Sequence, residues 1–130
     1  MVSIPAVSIV DDDRSVRAAT CSFLRSLGLR AFEFASAEEF LRSPLLIETA
    51  CLICDVQMPN MNGIELQSAL VAGGYKMPVI FITAFPDGTI EARAMGAGAI
   101  AFLRKPFDGQ EMIRCLDIAL KASGHDVLKS

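Results

Sequence analysis

The chain has 130 residues, 52% of them hydrophobic, a mean hydropathy of +0.44 and a formal net charge of −3. This length and composition suit one domain with its own core and exclude a disordered chain. No apolar run approaches the roughly 18 residues needed to cross a bilayer, and 12 basic against 15 acidic residues provide no basic stripe for direct nucleic-acid binding.

The N-terminus MVSIPAVSIV lacks a basic start and runs into acid, so it makes a poor signal peptide, and a cytoplasmic location is expected. Residues 6–10, AVSIV, read as a first strand. Helical spacing of Val16, Ala19, Phe23, Leu24 and Leu27 predicts a helix over 14–27, capped by Asp13 and ended by Gly28. Residues 30–34, RAFEF, alternate like a strand. Ser36 and Glu39 resemble a capping box opening a short helix to about Arg42, and Pro44 stops it.

The cycle then repeats. ACLIC (50–54) is a strand, and Asn62-Gly63 leads into a helix through Ile64, Leu66, Leu70 and Val71 that Gly73-Gly74 ends. PVIFI (78–82) is apolar throughout, as a strand covered on both faces would be. A weaker helix at about 88–96, a strand AIAFL (99–103) and an amphipathic helix over 109–122 complete the pattern. Five strands alternating with five helices predict a doubly wound α/β fold, a parallel sheet in the order 2-1-3-4-5 with helices on both sides. The domain reading is 1–122 for this unit and 123–130 for a polar tail, with no effector domain in the chain.

Cys51 and Cys54 have a metal-like spacing. Residues three apart on a strand face opposite sides, so they are read, like Cys21 and Cys115, as small buried hydrophobes. His125, in the polar tail, is read as exposed and idle.

The polar residues at the strand ends are more informative. Asp11 and Asp12 follow the first strand, Asp55 the third, Thr83 the fourth and Lys105 the fifth, while the second, at the sheet margin, supplies nothing comparable. In a parallel sheet these positions share the carboxyl edge, where ligands of open α/β sheets bind. Three adjacent carboxylates repel one another and suit a hard divalent cation such as Mg²⁺. The lysine and threonine then remain to hold an anion, and phosphate is the usual companion of Mg²⁺.

With IVDDD (9–13), CDVQMPNMNG (54–63), IFITA (80–84) and FLRKPF (102–107) in this order, the chain resembles the receiver domain of two-component response regulators over about residues 4–122. Gly98 to Phe107 is similar to the GAxxFLxKPF pattern of one transcriptional-regulator subfamily. The resemblance implies a chemotaxis-regulator-like fold with Asp55 as phosphoacceptor. It implies Mg²⁺ on Asp11, Asp12, Asp55 and the main-chain carbonyl of Gln57, Lys105 on the phosphoryl group, and Thr83 as the switch hydroxyl. It further implies that Ala84 N–H joins Thr83 in the switch, that Phe102 is a switch aromatic and that the Lys105-Pro106 bond is cis. The implied partners are a sensor histidine kinase or histidine phosphotransfer protein upstream and a protein target or fused effector downstream. A phosphorylation-promoted homodimer through the fourth and fifth helices is an open option.

Ala101 stands where the family commonly has a polar or acidic residue. Phe85-Pro86-Asp87-Gly88 is an unusual helix opening, and Gly96 and Gly98 weaken the fourth helix, which is expected to be short or mobile. Two other readings stay open. A haloacid-dehalogenase-type phosphatase also uses a strand-end Asp, Mg²⁺, Thr or Ser and Lys, but wants a second Asp where Gln57 stands. A binding module would use the fold without phosphorylation.

Overall fold

The computed structural model describes residues 4–124. His125 and the tail beyond it lie outside the described residues.

The chain alternates as its periodicity predicts: β1 (Ala6–Val10), α1 (Arg14–Ser26), β2 (Arg30–Phe34), α2 (Ala37–Arg42), β3 (Thr49–Asp55), α3 (Gly63–Ala72), β4 (Val79–Thr83), α4 (Gly88–Gly96), β5 (Ala101–Arg104) and α5 (Gly109–Ala122). All strand pairs are parallel, and the order is β2-β1-β3-β4-β5. One element was not expected: Pro44 opens a short 3-10 turn, Pro44–Glu48, which delivers the chain into β3. No helix among the described residues is long and apolar enough to cross a membrane.

Helix ends follow local chemistry. Asp13 accepts from the Ser15 and Val16 N–H groups and caps α1, and Gly28 leaves it at φ +85°. At α2, Ser36 accepts from Glu39 N–H. The reciprocal box, with both halves formed, is at α3, where Asn62 accepts from Glu65 N–H and Glu65 accepts from Asn62 N–H.

The sheet divides the core. On one face Val7, Ile9, Cys51, Ile53, Ile80, Ile82 and Leu103 pack against α1 and α5. On the other, Val10, Leu52, Cys54, Phe81 and partly buried Phe102 pack against α2, α3 and α4. Cys51 and Cys54 therefore do face opposite sides, and burial raises both thiols well above their usual range. All four cysteines are free and buried.

Candidate functional site

Register builds the site. Val10 pairs with Cys54, so the next residues, Asp11 and Asp55, emerge side by side at the carboxyl edge. Thr83 pairs with Arg104, which places Lys105 one residue past the end of β5. The period-two alternation of a strand sends Asp11, Asp55 and Lys105 toward the face covered by α1 and α5. The Lys105-Pro106 bond is cis.

Asp11 is fully buried. Its N–H donates to the Phe34 carbonyl at 3.1 Å, and its Oδ1 accepts from Asp13 N–H at 2.9 Å. Lys105 Nζ lies 2.8 Å from Asp11 Oδ2 and 3.3 Å from Asp55 Oδ2. Lys105 N–H donates to the Thr83 carbonyl at 2.7 Å, so the peptide bearing the ammonium is itself fixed to β4. Gln57 N–H donates to Asp55 Oδ1 at 3.4 Å. Asp12 is exposed, and one oxygen each from Asp11, Asp12 and Asp55 lie within 4.8 Å of one another.

Electrostatics follow from this packing. Burial, then the Asp11 charge, push Asp55 up from 3.8 to about 6, against the opposing pull of Lys105. Burial works against the Lys105 ammonium, but the Asp11 and Asp55 carboxylates outweigh it and raise its pKa. When ionised, the three carboxylates exceed the single ammonium by two negative charges. Asp11 Oδ2, closed to solvent, has the Lys105 ammonium 2.8 Å away as its partner. A site with that charge excess and three carboxylate oxygens within 4.8 Å of one another fits a divalent cation of the Mg²⁺ kind.

The same alternation directs the Thr83 and Phe102 side chains to the other face of the sheet, although the Thr83 carbonyl itself meets Lys105 N–H. Thr83 is fully buried, and its Oγ1 accepts from Phe85 N–H at 3.1 Å. Phe102 is half-buried on the α2–α4 side, its ring centroid 6.1 Å from that of Phe81. Ala84 is exposed.

Sequence reasoning missed two supporting residues. Gly63 closes the loop after β3, and a Cβ there would sit 2.4 Å from the Asp55 carbonyl oxygen. Arg17 donates from Nη1 to the Asp11 carbonyl at 2.7 Å. The sequence shows a cation near the start of a helix that begins beside three acids, but not that its side chain doubles back to them.

A parallel sheet in this order with an acidic and basic cluster at its carboxyl edge defines a flavodoxin-like switch-point architecture. The chain belongs to the response regulator receiver domain family, the receiving unit of two-component systems, whose model matches residues 7–117. It is 41% identical over 115 residues to the response regulator protein TmoT of Ectopseudomonas mendocina, covering 88% of this chain and 52% of TmoT. It is 38% identical over 114 residues to the transcriptional regulatory protein TdiR of Thauera aromatica, covering 88% of this chain and 50% of TdiR. Among solved structures, response regulator StyR superposes with a TM-score of 0.87 at 41% identity, over 94% of this chain and 62% of that one. A response regulator receiver protein from Burkholderia phymatum superposes with a TM-score of 0.77 at 45% identity, over 90% and 95% of the two chains. The chain spans about half the length of the curated relatives it matches.

Proposed function

We propose that this receiver unit, residues 1–122, is a phosphorylation-dependent switch in which Asp55 accepts a phosphoryl group from a histidine kinase or histidine phosphotransfer protein. The observation that carries the reading is the Lys105 ammonium set between the Asp11 and Asp55 carboxylates, 2.8 and 3.3 Å away.

Asp11, Asp12, Asp55 and the Gln57 carbonyl would hold Mg²⁺, which when bound neutralises charge on phosphoryl oxygens. A carboxylate oxygen of Asp55 attacks phosphorus in line. The bond from phosphorus to the donor imidazole nitrogen breaks, and the imidazole leaves with its electron pair. Lys105, no longer paired to a free Asp55 carboxylate, turns its charge to the phosphoryl group. Thr83 then gives up the Phe85 N–H, and its hydroxyl, with Ala84 N–H, moves to the new acyl phosphate. Phe102 follows into the space Thr83 leaves. The surface of α4, β5 and α5 changes and is read by a protein target or a fused effector. Met95 on α4 and Ile118 on α5 are exposed apolar residues, and a phosphorylation-promoted homodimer through these helices is one form the output takes. The same reading places the chain in the cytoplasm. Gln57 in place of a second Asp argues against a phosphatase of the haloacid-dehalogenase type.

The test is intact mass after incubation with Mg²⁺ and acetyl phosphate or phosphoramidate, for wild type and Asp55→Asn. One Mg²⁺-dependent phosphoryl adduct on wild type alone is expected. An adduct retained by Asp55→Asn overturns the acceptor. No adduct on wild type that binds both Mg²⁺ and beryllofluoride favours a binding module.

A further inference from the structure

The Asp11-Asp12 turn is held from behind by a side chain on the neighbouring helix. Arg17 N–H donates to the Asp13 carbonyl at 2.9 Å, in the first hydrogen-bonded turn of α1. Side chains on a helix lean toward its N-terminus, and Arg17 leans back far enough for Nη1 to donate to the Asp11 carbonyl at 2.7 Å. Its Nε lies 3.4 Å from Glu33 Oε1 near the end of β2, and its side chain is only 15% exposed. With Asp11 N–H already on the Phe34 carbonyl, both polar groups of the Asp11 main chain are engaged. The Asp11 carbonyl is one half of the peptide that leads into Asp12, the one exposed member of the carboxylate cluster. Fixing that peptide plane fixes where the Asp12 carboxylate starts.

We infer that Arg17 is a positioning residue for divalent-cation binding: its guanidinium, braced by Glu33, locks the Asp11–Asp12 peptide so that the two carboxylates converge with Asp55. This rests on the reading of Asp11, Asp12 and Asp55 as the cation site. The sign of its effect is diagnostic. Removing a nearby positive charge by itself favours a cation, so a variant lacking Arg17 binds Mg²⁺ more tightly if Arg17 acts only through charge. If Arg17 positions the ligands, the same variant binds more weakly, because outer partners that orient ligands typically contribute tenfold or more to metal affinity.

The experiment is a MgCl₂ titration followed by the backbone amide shifts of residues 11–13 and 55–57, with melting temperature recorded for each variant. Arg17→Gln is expected to bind Mg²⁺ about tenfold more weakly than wild type. Arg17→Lys keeps the charge but not the planar fork that spans the Asp11 carbonyl and Glu33, and is expected to bind about threefold more weakly. Unchanged or tighter binding in folded Arg17→Gln overturns the inference, even if the melting temperature falls. If Arg17→Gln does not fold, Arg17→Lys decides by the same criterion. Asp12→Asn separates the two layers. If it titrates like wild type, the cation-site reading itself fails; if it loses binding while Arg17→Gln keeps it, only the role of Arg17 fails.

Discussion

Burial and the adjacent Asp11 charge lift Asp55 to about 6, so an ionised Asp55 costs the metal-free fold stability. Below pH 3.8, its ordinary value, folded and unfolded chains both hold the proton and nothing is lost. Between 3.8 and about 6 the unfolded chain ionises first, and stability falls as pH rises. Above about 6 the loss is complete and constant. Asp55→Asn removes it, and with Asp55 only 5% exposed the gain at neutral pH is expected to be about 1–3 kcal/mol, shrinking toward zero by pH 4. Urea unfolding in EDTA at pH 4, 5 and 7.5 measures this, and an equal gain at all three would sink the account. The convergence of Asp11, Asp55 and Lys105 was legible in the sequence because each ends or follows a strand whose neighbour is set by topology. Arg17 was not, since its contact depends on a side chain doubling back past a helix start. Gly63 was legible as a turn residue, but its stricter role, a close approach to the Asp55 carbonyl, is visible only once the loop is closed.

Among the elements, α4 has the weakest hold on the core. Of its nine residues only Ala94 is buried, against five buried residues in α5. Its shortness agrees with the weak helical signal of residues 88–96, and Gly98 beyond its end adopts φ +103°. A contact no periodicity reveals holds it: buried Gln67 of α3 donates from Nε2 to the Ala94 carbonyl at 3.1 Å. That oxygen also accepts from Ala97 and Ala99 N–H, so the tie is made at the helix's last turn. Hydrogen exchange is therefore expected to open α4 well before β1 and β3, because local opening follows buried contact. Gln67→Leu is expected to speed α4 exchange a further two- to tenfold, the net value of roughly one hydrogen bond, and leave β1 and β3 nearly unchanged. Protection of α4 equal to that of the central strands would contradict both statements. Element boundaries were the least legible feature. β3 runs one residue further at each end than ACLIC, to Thr49 and Asp55. Ala99 and Ile100, expected inside β5, instead lead into it. Tertiary hydrogen bonds decide such ends: Thr49 enters β3 because its hydroxyl meets Ser8 Oγ at 2.7 Å and donates to the Leu45 carbonyl at 2.9 Å.

For the molecule as a whole, the site exists only because five strands assemble in one order. Asp11 and Asp55 lie 44 positions apart and are brought together by the β1–β3 pairing, while Lys105 arrives through β4 and β5. The buried Asp55 carboxylate is a cost to the empty fold, and in the proposed function it is also a ligand to the cation. An ion that binds this arrangement and not the unfolded chain must stabilise the entire sheet, by an amount set by mass action rather than by any local contact. At a Mg²⁺ concentration 100 times the dissociation constant the expected gain is about 2.7 kcal/mol, seen as a higher urea midpoint with an unchanged slope. Asp12→Asn, which removes a ligand from an exposed position, is expected to lose most of that gain while its metal-free stability stays close to wild type. A midpoint that does not move with Mg²⁺ in wild type, at concentrations where amide shifts report binding, would mean that the ion binds the unfolded chain as well. A midpoint that moves equally in Asp12→Asn would mean that Asp12 is not a ligand, and the reading of Asp11, Asp12 and Asp55 as one cation site would fail with it.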